Sequence, residues 1–163
     1  PIYGKGVRAF VTPQVVMGAA TPNIRMTYTR PTTGGTDTGR ITPNVLPIGN
    51  TAAPVSSIVY AGTAAGKYGP FMPLQAGDNG IVSIQQFNLS VSYVSGVLNL
   101  VLCKPLLTLP MTTIGVASER DLMNQLPSLP KVYDGACLAW LMYAGAITPV
   151  NSAFYGHLDF GWS

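Results

Sequence analysis

The stretch GDNGIVSIQQFNLSVSYVSGVLNLVLCKP, residues 77–105, decides the fold class. GDNG is a strong turn signal, and it opens a segment in which Phe87, Leu89, Val91 and Tyr93 alternate with Asn88, Ser90 and Ser92. Alternation at period two predicts a strand with one buried face and one polar, uncharged face. VSG at 94–96 turns the chain into VLNLVLC, a nearly continuous apolar run that reads as a strand buried on both faces. The two segments are predicted to pair as a hairpin, with Pro105 and Pro110 bounding the second strand or its continuation.

Upstream the style changes. Nine of the 14 prolines fall in residues 1–73. Each removes a ladder donor and biases its predecessor toward extended backbone, so a regular helix is not expected there. TTGGTDTG at 32–39 is a flexible loop by composition. GVRAFVT and NIRMTYTR are short extended pieces; in the second, Ile24, Met26 and Tyr28 alternate with Arg25, Thr27 and Thr29. Downstream, ASERDLMNQL at 117–126 is the one helix candidate, capped by Ser118 and stopped by Pro127. ACLAWLMYAGA at 136–146 reads as a core strand, because a helix there would have no polar face. In the closing SAFYGHLDFGWS, Phe154, Leu158, Phe160 and Trp162 share one strand face, and Tyr155, His157 and Asp159 share the other.

The sum is one all-β domain over residues 1–163, loop-rich with extended segments over 1–75 and carrying its core strands over 76–163. Long, uneven, Pro/Gly-rich connections favour a jelly-roll-like β-sandwich with at most one short helix.

Composition narrows the function. Apolar residues make up 47% of the chain but charged residues only 9%, where a soluble domain typically carries about 25%. A surface so poor in charge implies that much of it faces other protein; a Ser/Thr/Asn-solvated secreted domain is the alternative. Residues 1–70 hold six Lys and Arg against Asp37 alone, while the rest of the chain is mildly acidic. The cations are scattered, with no stripe for phosphates, so specific nucleic-acid binding is not expected and an acidic protein partner is. The longest apolar run, residues 136–147, is too short to cross a bilayer, and the opening PIYGKG shows no leader. Synthesis in the cytosol as a soluble protein is the expectation.

Catalysis finds little support. His157 is the only histidine, and Asp159 lies on the same strand face about 6–7 Å away. Cys137 sits in an apolar run that disfavours a thiolate, so a Cys–His–Asp set is not expected to work. Both Cys103 and Cys137 read as buried free thiols. Zinc wants three or four ligands, and none join the pair. No phosphate loop or paired carboxylates are visible. The chain is therefore read as having no catalytic, metal or cofactor residues, with Tyr155, His157 and Asp159 forming the polar face of an edge strand.

Residues 77–111, LPSLPKVYDGACLAWLMYAGA and the closing FYGHLDFGW together resemble the β-rich cement or decoration proteins of tailed-bacteriophage heads, over roughly the last ninety residues. The resemblance implies a non-enzymatic virion protein, made in the host cytoplasm and located on the outer capsid surface. It implies the major capsid protein and copies of itself, as dimer or trimer, as partners, and a role in bridging neighbouring capsid subunits. On that reading Arg25, Arg30 and Arg40 meet acidic capsid residues, and Tyr155 and His157 join the contact. A tail, baseplate or adaptor subunit and a carbohydrate-binding jelly roll are the alternatives.

Overall fold

The structure, a computed structural model, describes residues 3–18, 20, 22–43, 47–48, 57–58, 60–61, 70–92, 94–111, 113, 115–121, 130–142 and 155–156. These residues form an all-β body of small antiparallel sheets and no helix. Seven strands occur in it: β1 (Arg8–Val15), β2 (Ile24–Thr32), β3 (Gly35–Ile41), β4 (Pro47–Ile48), β5 (Tyr60–Ala61), β6 (Ser83–Leu89) and β7 (Val97–Cys103). One sheet pairs β1 with β7, a second has the order β3-β2-β6, and β4 and β5 form a two-residue ladder.

The alternation expected for NIRMTYTR is present: Ile24, Met26 and Tyr28 are buried while Arg25 is exposed. Directly opposite them on β6 stand Leu89, Phe87 and Ile84. Ile84 and Phe87 are an odd number of residues apart yet both pack on the core. A bulge between Tyr28 and Thr27 makes this possible, because Gln85 is the extra residue that resets the parity of β6. GVRAFVT supplies most of β1, whose Ala9, Val11 and Pro13 are buried. Leu98 and Leu100 of β7 pack against the same cluster, so both sheets feed one core, with Met17, Met72 and Ile81 filling between them.

Three expectations are corrected. The segments on either side of VSG do not pair: β6 joins β2 and β7 joins β1. Residues 94–96 carry the chain from one sheet to the other, as an arch rather than a hairpin turn. An arch lets the two strands cover one core from two sheets, where a hairpin would set both side by side in the same sheet. Nor is β7 buried on both faces, since Val97 and Leu102 are nearly half exposed. TTGGTDTG is not a loop; most of it is β3, whose backbone is satisfied by pairing with β2. A bulge opposite Thr29 takes up Gly39, whose φ of +74° suits glycine best.

The helix candidate is not supported where it is described: residues 117–121 are irregular, and 122–126 lie outside the described residues. Residues 136–142 are neither strand nor core, with Trp140 72% exposed; residues 143–146 lie outside the described residues. Of the closing strand only Tyr155 and Gly156 are described, and they are exposed and irregular. No helix among the described residues is long and apolar enough to cross a membrane.

Candidate interaction surface

Two places concentrate chemistry: a charged knot at one end of β2 and β3, and an exposed segment that follows β7. The knot centres on Asp78. A β-turn over Gln75–Asp78, closed by the Asp78 amide donating to the Gln75 carbonyl at 3.0 Å, lowers this carboxylate onto the sheet. Its side chain is 0% exposed. Arg30 Nη1 donates to it at 2.8 Å, Arg40 Nε and Nη2 at 3.1 and 3.2 Å, and the Tyr28 hydroxyl donates as well. Arg30 Nε also reaches Asp37 at 3.0 Å, across the β2–β3 pair that sets these two residues opposite each other. Two guanidiniums thus meet two carboxylates, and the group is neutral as a whole.

Burial alone would raise the Asp78 pKa, but the donors from Arg40, Tyr28 and Arg30 outweigh it and hold the carboxyl below its usual range. Burial, then donation to Asp78, pushes the Tyr28 hydroxyl up to about 12. The Gln75 amide donates to the same hydroxyl at 2.9 Å, and the Gln75 side chain donates to the Ile41 carbonyl, so the turn is fastened to both strands. Every group here is saturated by another. Nothing in it is poised as a nucleophile or base, and its work is to clamp the 75–78 turn on the sheet.

The turn is held on its far side by backbone alone. Gly6 N donates to Asn79 O at 2.8 Å and Ile81 N to Gly4 O at 3.1 Å. A Cβ on Gly80 would lie 2.1 Å from Gly4 O, so only glycine permits this approach. The N-terminal turn ahead of β1 and the turn ahead of β6 are interlocked.

The residues expected to meet a partner separate into different settings. Arg30 and Arg40 are brought together and spent on Asp78 and Asp37. Part of the charge imbalance between the two halves of the chain is therefore resolved within the molecule: Asp78, from the acidic half, receives two cations from the basic half. Arg25 is exposed, opposite Asn88 on the β2–β6 pair. Tyr155 is 95% exposed. His157, with Asp159, lies outside the described residues. Among the described residues no three His, Cys, Asp or Glu side chains gather to hold a metal ion. Both cysteines are free; Cys103 is half-buried, its thiol pKa raised by burial, but Cys137 is exposed rather than buried, because residues 136–142 are not a core strand.

Beyond β7 the described residues of 104–142 lack regular structure and present large apolar side chains to solvent. Met111, Val116, Tyr133, Leu138, Trp140 and Met142 are all exposed. Local contacts in this arm include Arg120 Nη1 to Thr108 O, Ser118 Oγ to Pro110 O, and Lys131 over the Tyr133 ring. Exposed apolar side chains grouped in this way are a candidate for contact with another molecule. Sequence reading placed residues 136–146 in a core strand and 117–126 in a helix, and so did not anticipate this exposure. It also missed Asp78, although a signal was there: it is the only acid between Asp37 and Glu119. Compared with family models, curated proteins and solved structures, the chain matches none of them.

Proposed function

We propose that this protein is a structural, non-enzymatic subunit of a tailed-phage head, a cement protein that lies on the outer capsid surface and braces neighbouring major capsid subunits. The observation that carries the reading is the contrast between a β body whose central charged knot is paired within itself and an exposed, charge-free run, residues 135–142, that presents Leu138, Trp140 and Met142. An uncharged, extended, aromatic segment gains most by lying on another polypeptide, where apolar area leaves water and its backbone finds partners. A rigid body that anchors such arms can join adjacent subunits of a symmetric shell, where many modest contacts add by avidity. In this reading Arg25 and Tyr155 face the partner, while Arg30 and Arg40 serve the body's own architecture. The two sheets belong to a jelly-roll-like sandwich, a placement supported by their shared core and by the arch at 94–96 that crosses between them.

The test is to mix the purified chain with bare, expanded heads and measure co-sedimentation and the heat resistance of the particles. Saturable binding with a raised rupture temperature is the expected result. A chain that ignores heads while binding glycans would replace this reading with a carbohydrate-binding one.

A further inference from the structure

The sheet orders leave one edge of β6 and one edge of β7 without a strand partner among the described residues. Exposed edges are normally blunted by lysines, prolines or inward-pointing charge. SIQQFNL of β6 is bent by the Gln85 bulge, itself an edge-blunting device, whereas VLNLVLC of β7 contains no charged residue, no proline and no bulge. Beside these strands, at the arch between them, lies an open cavity of about 270 Å³ whose lining mixes Met17, Phe87, Leu89, Val94 and Leu98 with Ser92 and Ser95. Val94 itself is 89% exposed and held at φ +71°, a conformation that β-branched side chains avoid. Exposed Leu89, Val91 and Val97 continue the apolar rim.

The same chain carries a segment with the opposite need. Residues 135–142, GACLAWLM, hold no charge; at period two, Leu138, Trp140 and Met142 form a large face and Cys137, Ala139 and Leu141 a smaller one. That is the pattern of a buried strand, yet the segment is exposed and unpaired among the described residues. The unguarded edge of β7, beside an open and partly apolar cavity, and an exposed, strand-patterned, uncharged segment occur in one molecule without meeting among the described residues. Both surfaces are neutral, so their union leaves no ion desolvated.

We propose that residues 136–142 of one copy add as a strand to the free edge of β7 in a second copy, with the Leu138, Trp140 and Met142 face covering the cavity beside Leu98. The backbone bonds of an added strand supply affinity, and the Trp140 pocket supplies register. Reciprocal exchange closes a two-fold pair; exchange in one rotational sense closes a ring. The association is independent of capsid binding, and holds for the chain alone.

Sedimentation velocity on the full chain, in a Trp162→Phe background so that emission reports Trp140, tests it. At tens of micromolar a discrete oligomer with blue-shifted Trp140 emission is expected, reverting to monomer with red-shifted emission on dilution. Trp140→Lys spoils the donor and Leu89→Lys the acceptor; each is expected to weaken self-association roughly thirtyfold or more while circular dichroism stays unchanged. Val94→Asp replaces Leu89→Lys if the latter fails to fold. Mixing donor-defective and acceptor-defective chains should restore association between them, because one intact arm then meets one intact groove. The proposal is overturned by a chain that stays monomeric, by a monomer whose Trp140 is already buried against its own body, by an oligomer indifferent to both substitutions, or by a mixture that fails to complement.

Discussion

The β body and the arm that follows it are both rich in apolar residues, yet among the described residues only the body gathers them into a buried core. In β2 the apolar residues recur at period two opposite apolar residues of β6, and every second side chain enters the core. In residues 136–142 the composition is more apolar still, but no strand lies beside it among the described residues. Apolar content is therefore insufficient to fold a segment. A strand needs a neighbour for its backbone as much as a core for its side chains.

That contrast can be broken or sharpened by substitution, with urea unfolding as the common measurement. Asp78→Ala should cost most, about 3–5 kcal/mol, because it leaves Arg30, Arg40 and Tyr28 facing a buried site with no acceptor. Met26→Ala, which empties a fully buried position in β2, should cost about 2–4 kcal/mol. Gly80→Ala must push the two interlocked backbones apart and should cost about 1–3 kcal/mol. Trp140→Ala, although it removes the largest side chain in the arm, should change monomer stability by less than about 0.5 kcal/mol. A Trp140→Ala loss comparable to that of Met26→Ala would erase the distinction between the regions.

The pH dependence of unfolding separates them as well. The Asp78 pKa is depressed in the fold, so its stabilisation is present above the usual carboxylate range and is lost as pH falls through that range toward the folded value. The Tyr28 pKa is raised to about 12, so its contribution is complete below the unfolded value near 10 and disappears as pH climbs from there to 12. Tyr28→Phe should flatten the alkaline limb and, by removing one of the donors to Asp78, shrink the acid limb without abolishing it, because Arg40 and Arg30 still donate.

Much of the body was legible in the sequence. The alternation at 24–28 follows from side-chain period, and 97–103 is a strand as its apolar run suggests. The period-two face expected over 87–93 fails beyond Phe87, because β6 ends at Leu89 and both Leu89 and Val91 are exposed. Pairing did not follow, because VSG suits an arch between sheets as well as a turn within one, and period says nothing about which neighbour a strand takes. β3 was hidden by its composition: Gly, Thr and Asp dominate it, and it is a strand only because β2 holds it there. Asp78 was hidden by its place in GDNG, where a turn already explains an aspartate. In the arm, the apolar run carried the mark of a buried strand correctly in chemistry but not in place.

The pairing of Arg8–Val15 with Val97–Cys103 has a consequence for birth on the ribosome. The earliest strand to emerge waits through nearly ninety more residues for its mate, and the glycine interlock of Gly4 with Gly80 is delayed almost as long. Such distant closure makes for slow folding and leaves nascent chains prone to sticking together. Yield during expression should therefore depend on temperature and chaperone supply more steeply than the finished molecule's resistance to urea would suggest.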